Sequence, residues 1–587
     1  MSANADHISH LSLWNYASLA TSTVGKGKIC HTCCSLSGGA MSNHRKPVVV
    51  LAALTMVFTA WGISGSAIAA EATYDLLLRN ARIVDGTGNP WFRGDLAVRG
   101  DTIVQIAPSI TAPARRVLDL KGAVASPGFI DVHTHAGARI FEVPTADNYI
   151  RQGVTTIMEG ADGAGPSMAG SAPVPLKPWL DKLDAVPKSI NIGSFVGQGA
   201  VRAVVIGLEN RPATPTELDR MRALVLKDMK DGAFGLSTGL FYVPGAFTPL
   251  SEVVELQKVV APFRGLHTSH MRDEAGSVID SVKETIAIGE LGGVPTQVSH
   301  HKIIGKANWG RTVDTLRLID AARASGVDAT LDVYPYTASS TTIEAALLPK
   351  WALEGGLKQS IARLKDPAAR AKIKAETAGL IANERGGGDP SNVTIARCEW
   401  NESLNGKNLA EIAQLRGLAS TVENAAEVTL WLVENGGCGG VFHAIGEEDV
   451  QRVIAHPATM IASDGGVIAF GVGVPHPRSY GTFARVLAVY VREKKIITLE
   501  DAVRKMTSFP ASRLRLGNRG ELRVGMKADI AVFDLAHVRD LATYDKPHQY
   551  AEGFSHVIVN GQVVYENGSM TKARPGKVLY GVGKEAE

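Results

Sequence analysis

The residues best suited to chemistry in this sequence stand in "GFIDVHTH", residues 128–135, where two imidazoles follow an apolar run. In a β-strand, residues i and i+2 point to the same face, so His133 and His135 can converge on one point in space. Asp131 lies on the same face. Two converging imidazoles suit a metal ion, but a His-x-His pair also occurs by chance and then caps a strand or faces solvent. The predicted strands and helices around the pair distinguish between these interpretations.

Eight apolar, strand-like segments separated by helical stretches occupy the middle of the chain. They are residues 129–135, 154–159, 192–196, 233–238, 265–270, 294–300, 328–334 and 460–464. Apolar strands that alternate with helices favour a parallel sheet, and eight such units predict an α/β fold with a (β/α)8 TIM-type barrel. The segment "GGVFHAI", residues 439–445, is an alternative barrel strand near the end of the series.

Shorter strand-like segments with glycine turns stand at both ends of the chain. Residues 71–125 and 511–587 share this pattern, and neither part can bury both faces of its strands alone. We therefore expect one small β-sandwich domain built from both chain ends. The barrel then spans residues 126–510, and the long gap before its last strand predicts a small helical insertion at about residues 349–415.

The first 70 residues have a different character. From Met41, a basic start, an apolar run and small residues at Ala67 and Ala69 form the layout of a secretory signal peptide, residues 41–70. The apolar run is short for a membrane span, which needs about 20 residues, so an uncleaved anchor is the weaker alternative. Because a signal must be N-terminal, residues 1–40 are interpreted as a non-native upstream extension. These features predict export across the inner membrane to the periplasm, with no stable membrane association after cleavage.

Catalytic residues of such a barrel stand at the carboxyl ends of its strands, and five predicted strands carry metal-capable side chains there. These side chains are His133, His135, Asp162, His270, His300 and Asp464. Imidazole nitrogens with carboxylate oxygens suit Zn²⁺ best, with iron, manganese or cobalt as alternatives. Bound zinc lowers the pKa of its water to about 7, and a neighbouring Asp464 is suited to act as general base and to return the proton to a leaving nitrogen. The prediction is metal-assisted hydrolysis of a carbon–nitrogen bond.

Longer motifs add to this interpretation. They are "SPGFIDVHTH", "GVTTIMEGADG", "GLSTGLFYVPG", "HTSHMRDE", "QVSHHK", "DVYPYTASST", "ASDGG", "HPRSYGTFARVL" and "GELRVGMKADIAVFD". In these motifs the chain resembles the amidohydrolase superfamily, and within it the N-acyl-D-amino-acid deacylase (D-aminoacylase) family. The resemblance runs in family order from about residue 74 to residue 580.

The resemblance implies roles for the matching metal-capable residues. His270 and His300 would hold a tighter zinc ion, and His133 and His135 would belong to a weaker second site. Asp464 would be the catalytic acid and base.

The resemblance also implies a binding site for the substrate carboxylate. Its residues would be Lys302, Tyr334, Ser340 and Arg478. An arginine fork and a lysine charge suit an anionic amino-acid substrate.

One position departs from the family. Many members have a cysteine in a "GNCG" segment that bridges to the metal, whereas "GADG", residues 160–163, places Asp162 there. A carboxylate is a harder ligand than a thiolate and can bridge two ions. Asp162 is therefore the predicted bridge, with Glu159 as the rival and an ordinary turn aspartate as the third interpretation. Whether one or two zinc ions bind stays open.

The resemblance implies zinc-dependent hydrolysis of the linear amide bond of N-acyl-D-amino acids, giving a carboxylate and a D-amino acid. A D-dipeptidase or cyclic-amide hydrolase on the same barrel, and a non-catalytic binding protein, are the alternatives. With 61 basic and 58 acidic residues, the chain has no excess charge that favours nucleic acid, so a small-molecule substrate is the expected partner. After signal cleavage only Cys398 and Cys438 remain, and the sequence leaves their pairing open.

Overall fold

The structure, a computed structural model, describes residues 74–137, 139–166 and 175–584. The predicted upstream extension, residues 1–40, and the predicted signal peptide, residues 41–70, lie outside these residues. Within the described ranges, no helix has both the length and the apolar character needed to cross a bilayer.

The strands of the described residues follow in chain order. They are β1 Tyr74–Ile83, β2 Phe92–Arg99, β3 Thr102–Ala107, β4 Ala114–Asp119, β5 Val124–Pro127, β6 Phe129–Asp131, β7 Val154–Glu159, β8 Asn191–Ser194, β9 Val196–Gly197, β10 Gly235–Gly239, β11 Leu266–His270, β12 Thr296–Val298, β13 Ala329–Val333, β14 Ser339–Thr342, β15 Val393–Arg397, β16 Gly439–Phe442, β17 Thr459–Ile461, β18 Ile530–Phe533, β19 Phe554–Val559, β20 Gln562–Glu566 and β21 Ser569–Met570.

The α-helices lie between and around these strands. They are α1 Arg139–Glu142, α2 Asp147–Ile150, α3 Leu176–Asp184, α4 Gln198–Val205, α5 Pro215–Asp231, α6 Leu250–Val260, α7 Val278–Gly292, α8 Thr312–Ala324, α9 Ile343–Leu347, α10 Leu357–Leu364, α11 Pro367–Leu380, α12 Leu409–Leu415, α13 Val422–Glu434, α14 Glu447–Ala455, α15 Arg478–Arg485, α16 Leu499–Met506 and α17 Ser508–Arg513.

The middle of the chain forms the predicted barrel. Strands β6, β7 and β8 pair in parallel, as do β9, β10, β11, β12, β13 and β17. β8 and β9 are two parts of one strand, since Phe195 alone separates them. The ring closes between the first and last strands, where Asp464 N donates to His133 O at 2.9 Å and His135 N donates to Gly465 O at 2.7 Å. Each predicted barrel segment overlaps one of these strands, so the (β/α)8 prediction is confirmed.

The segment between β13 and β17 contains the predicted helical insertion together with a small sheet that the sequence did not indicate. Strands β14, β16 and β15 pair in antiparallel order there. The alternative that "GGVFHAI" forms a barrel strand is therefore wrong, because its residues form β16 of this sheet. A disulfide joins Cys398 to Cys438 at the ends of β15 and β16.

Both chain ends contribute to one nine-stranded sheet, as predicted. Its order is β21-β20-β19-β18-β5-β1-β2-β3, with β4 paired to β1. The two ends meet where β18 pairs antiparallel with β5 and places Ala531 opposite Ser126. Only Gly128 separates β5 from β6, so the sheet leads directly into the first barrel strand.

Phe129 packs at the junction between the barrel and this sheet. Its side chain is fully buried. Its ring centroid lies 5.7 Å from that of Phe483 on α15, 6.2 Å from that of Phe533 on β18 and 6.3 Å from that of Phe554 on β19. Aromatic pairs at these separations contribute beyond their buried area. The strand that leads to the metal-capable histidines is thus anchored to both parts of the fold.

Replacement of Phe129 by alanine should lower the free energy of unfolding by about 3–5 kcal/mol, because it leaves a cavity among three aromatic rings. The matched control is Phe92→Ala, since Phe92 is 41% exposed. We expect that change to stay within about 0.5 kcal/mol. Urea unfolding of both variants tests the comparison, and equal destabilisation would contradict the anchoring role.

Candidate metal centre

The six predicted metal ligands meet at the carboxyl end of the barrel. They form two groups, each with ligand atoms within 4.8 Å of one another: His133, His135, Asp162 and Asp464 in the first, and Asp162, His270 and His300 in the second. Each residue stands at, or a few residues after, the carboxyl end of a barrel strand. Asp162 belongs to both groups, which is the composition of a two-ion site with a shared carboxylate.

Local backbone conformation aims three of these side chains into the mouth of the barrel. The φ angles are +55° at Asp162, +34° at His300 and +50° at Asp464. Residues other than glycine adopt this left-handed region rarely, at a cost of about 1–3 kcal/mol each. All three lie two or three residues after a strand ends, where the chain turns away from the barrel. Such strain is typical of functional sites, where the surrounding structure holds it in place.

The two carboxylates lie among the four imidazoles at short distances. Asp162 Oδ1 is 3.3 Å from His133 Nε2, and Asp162 Oδ2 is 3.3 Å from His300 Nε2 and 3.5 Å from His270 Nδ1. Asp464 Oδ1 is 3.0 Å from His135 Nε2. The two oxygens of Asp162 therefore face different histidines.

Unpaired polar atoms test whether a metal ion fits this centre. His133 Nε2, Asp162 Oδ1 and both ring nitrogens of His270 are buried without a hydrogen-bond partner among the described residues. Burying such atoms unpaired is unfavourable, and buried polar groups normally have partners. Convergent imidazole nitrogens and carboxylate oxygens are the donor set that zinc and similar divalent ions bind. The residues present fit a metal ion.

Without a metal, the carboxylates and imidazoles compensate one another's charge. The side chain of His135 is 39% exposed; desolvation lowers its pKa, but the Asp162 and Asp464 carboxylates outweigh this effect and raise that pKa to about 10. Burial lowers the pKa of His270 to about 4, so His270 keeps the neutral form that binds metals. Burial opposes the ionisation of Asp464, but the Arg478 guanidinium and nearby imidazoles hold its pKa below its usual range. Metal binding must displace the proton on His135, so it weakens in acid.

Two cavities meet at this centre. One has a volume of about 740 Å³ and the other about 260 Å³. Both are lined by His135, Ser340, Asp464 and Arg478. A substrate whose reacting bond lies at the metal-capable groups can therefore extend in two directions.

Comparison with known proteins agrees with this architecture. A family model described as "Amidohydrolase family" matches residues 116–565. The chain is also 35% identical over 522 residues to the D-aminoacylase of Alcaligenes xylosoxydans xylosoxydans. This alignment covers 86% of this chain and 97% of that protein. The chain belongs to the amidohydrolase family. The resemblance predicted from the motifs is confirmed.

Solved structures of similar proteins share the fold of this amidohydrolase. The N-acyl-D-glutamate deacylase from Bordetella bronchiseptica was solved with zinc and a phosphonate inhibitor that mimics the tetrahedral intermediate of its reaction. It matches with a TM-score of 0.74 and 34% identity, covering 87% of this chain and 100% of that one. A D-aminoacylase studied for its binuclear metal centre matches with the same TM-score of 0.74 and 34% identity, covering 86% of this chain and 100% of that one.

Two buried carboxylates that sequence reasoning missed hold the ligands in place. Glu274 Oε1 is 3.2 Å from His300 Nδ1, and its Oε2 is 3.7 Å from His270 Nε2. Asp332 Oδ1 accepts the backbone N–H of His300 at 2.8 Å and lies 3.7 Å from His133 Nδ1. Carboxylates behind metal-binding histidines fix ring orientation and raise ligand basicity. Glu274 ends "HTSHMRDE" and Asp332 begins "DVYPYTASST", so the motifs contained the signal, but a run such as "RDE" is typical of an exposed loop.

The structure gives Lys302 partners among the residues behind the metal ligands. Its buried ammonium group is 2.5 Å from Glu274 Oε1 and 2.6 Å from His300 Nδ1, and the residue lines neither cavity. A buried cation needs a counter-ion, and Glu274 provides one. Lys302 is therefore positioned to hold Glu274 and His300, and its contact with a substrate carboxylate stays a prediction.

The other three predicted substrate residues lie nearer the cavities. The Tyr334 hydroxyl is buried without a hydrogen-bond partner among the described residues, and its ring lies 4.9 Å from the Arg478 guanidinium. Arg478 Nη1 donates to Asp464 Oδ2 at 2.6 Å and Nη2 donates to Ser340 O at 3.3 Å. His476 orients this arginine by accepting its backbone N–H at 3.0 Å. Ser340 and Arg478 line both cavities, whereas Tyr334 lies behind them.

Asp162→Asn should lower zinc affinity by more than the 10–100-fold that is typical when a residue behind the ligands is changed, because it removes the carboxylate charge that both donor groups share. The control is Glu159→Gln, since Glu159 is buried near Asp162 but belongs to neither metal group. Zinc content after desalting, measured by mass spectrometry, should fall for the first variant only. Zinc loss confined to the Glu159 variant would instead identify Glu159 as the bridge.

Proposed function

We propose that this chain is a zinc-dependent hydrolase that cleaves N-acyl-D-amino acids into a carboxylate and a free D-amino acid. The observation that carries the proposal is the pair of overlapping donor groups at the junction of two cavities, with Arg478 on the shared wall. The 35% identity to a D-aminoacylase over nearly its full length supports the same conclusion. The partner is a small molecule, and we infer neither a nucleic acid nor a membrane as a binding partner of the mature chain.

The ligand assignment follows the two groups. His270, His300 and Asp162 would hold one ion, while His133 and His135 would hold a second with the same Asp162. Zinc bound there supplies a Lewis acid and a water of lowered pKa.

Asp464 is placed to move the proton. Its carboxylate lies beside His135, at 3.0 Å, and accepts a hydrogen bond from Arg478 at 2.6 Å. The arginine charge favours the ionised carboxylate, which is the form a general base requires. Asp464 would take the proton of the attacking water and give it to the amide nitrogen as the carbon–nitrogen bond breaks.

Arg478 is placed to bind the substrate carboxylate. A guanidinium has five N–H donors, and among the described residues two of the Arg478 nitrogens donate hydrogen bonds, to Asp464 and Ser340. The planar fork suits a carboxylate better than a single ammonium does. Because the metal-capable groups and Arg478 fix two points of the substrate, the side chain at the α-carbon fits one cavity in only one configuration.

We also propose that the protein is exported to the periplasm. The signal layout of residues 41–70 supports export. The Cys398–Cys438 disulfide also supports it, because disulfides persist in oxidising compartments and are rare in the cytosol.

The zinc-loaded mature chain beginning at Glu71 should release amine from N-acetyl-D-methionine and not from N-acetyl-L-methionine. A chelator should abolish the turnover and added zinc should restore it, since the attacking water depends on the ion. The same assay on D-dipeptides and hydantoins examines the rival hydrolases. Preference for either of these would replace the proposal, and tight zinc binding with no turnover of any amide would favour a binding protein.

Arg478→Met should lower kcat/KM for N-acetyl-D-methionine by about 30-fold or more, the equivalent of about 2 kcal/mol for a lost buried charge contact. The control is a substrate rather than a variant: the N-acetyl amine that lacks the α-carboxylate. If Arg478 binds that carboxylate, the mutation should affect the control substrate much less. An equal loss with both substrates would show that Arg478 acts through Asp464 alone.

A further inference from the structure

The two cavities at the centre differ in charge. We name them the uncharged lobe, of about 740 Å³, and the arginine lobe, of about 260 Å³. Apart from Asp162 and the residues shared by both cavities, the described lining of the uncharged lobe carries no ionisable acid or base except the Tyr242 phenol. The arginine lobe adds Arg139 and Arg397 to the shared Arg478.

The uncharged lobe has small and apolar walls. Helix α4 presents Ala200 and Ala203 to it, and Leu208 and Val243 add branched side chains. Ala203 is half-buried, and its neighbour Val204 is 62% exposed and outside the lining. Small residues on this face of α4 are what keeps the lobe open.

The charges that line the two lobes indicate which half of the substrate lies in which lobe. A hydrolysed N-acyl-amino acid has an acyl arm on one side of the reacting bond and an anionic amino-acid arm on the other. Arg139 and Arg397 add positive charge to the arginine lobe, although each also pairs with a carboxylate outside its lining, Glu142 at 2.6 Å and Glu399 at 3.1 Å. Because the Asp162 carboxylate lines only the uncharged lobe, the anionic arm is favoured in the arginine lobe. The acyl arm then lies in the uncharged lobe, where burying a charged group would be unfavourable.

The size of the uncharged lobe exceeds what a short acyl group needs. Cavities of about 300–1,000 Å³ accommodate whole drug-sized ligands, whereas an acetyl group adds one methyl beyond the carbonyl. Each further methylene that leaves water for such a lobe contributes up to about fourfold in affinity for the transition state.

We infer that the substrates of this enzyme are N-acyl-D-amino acids with an extended apolar acyl chain, longer than an acetyl group. The inference rests on the proposed function and adds the substrate class. It assigns Ala200, Ala203, Leu208 and Val243 as the residues that determine acyl-chain specificity.

The test is the dependence of kcat/KM on acyl length, measured for the zinc-loaded mature chain with acetyl, butanoyl, hexanoyl, octanoyl and decanoyl-D-methionine. We expect kcat/KM to rise about two- to fourfold per methylene over this series. A flat or falling series, with acetyl-D-methionine still hydrolysed, overturns the inference and leaves the proposed function intact. No turnover of any member overturns both.

Two variants locate the effect in the uncharged lobe. Ala203→Trp fills the lobe and should lower the decanoyl-to-acetyl ratio of kcat/KM at least tenfold. Val204→Trp introduces the same side chain one position away on the solvent side of α4 and should leave the ratio unchanged. Leu208→Asn, which makes the wall polar without adding bulk, should lower the ratio as well and replaces Ala203→Trp if that variant does not fold. If the decanoyl-to-acetyl ratio of kcat/KM is unchanged in both Ala203→Trp and Leu208→Asn, the assignment of the acyl chain to the uncharged lobe is overturned.

Discussion

The carboxylate of Asp162 has to serve two sets of imidazoles at once, and much of the site follows from that constraint. One oxygen faces His133, and the other faces His270 and His300 and also lies 3.6 Å from His135, so a shift of the side chain disturbs contacts with both sets. The position is held by a left-handed backbone just after β7, which costs conformational energy but leaves the carboxylate little freedom. An aspartate tolerates this backbone better than most residues because its short polar side chain bonds locally.

Burying so many ionisable groups at one barrel end is stable only if each has a partner. Lys302 with Glu274, and Arg478 with Asp464, are such pairs, and both touch residues of the centre. The pairs differ in accessibility: the first lies behind the histidines and the second faces both cavities. The same chemical pairing therefore supports the metal ligands in one place and leaves a guanidinium available to substrate in the other.

The barrel and its metal-capable residues were predictable because they depend on local patterns that can be read from the sequence. Buried parallel strands are apolar along their whole length, and their carboxyl ends share one edge, so His270 or Asp464 could be placed from position alone. The supporting contacts were not predictable, because they depend on which distant side chains meet. Glu274 looks exposed within "HMRDE", and nothing in the sequence pairs it with Lys302, which lies 2.5 Å away. The short strands β14 and β15 escaped notice, and β16 was assigned as a possible barrel strand, because four or five residues give too little periodicity.

The insertion connects the walls of both cavities through one covalent link. Arg397, in the arginine lobe, directly precedes Cys398, and Gly439, in the uncharged lobe, directly follows Cys438. Ser340 on β14 lines both cavities and pairs with β16 opposite Val441. The disulfide therefore limits how far the strands that carry these residues can separate. In a barrel whose chemistry is set by its core strands, segments attached to the strand ends help to shape the substrate cavities, and here one of these segments is cross-linked.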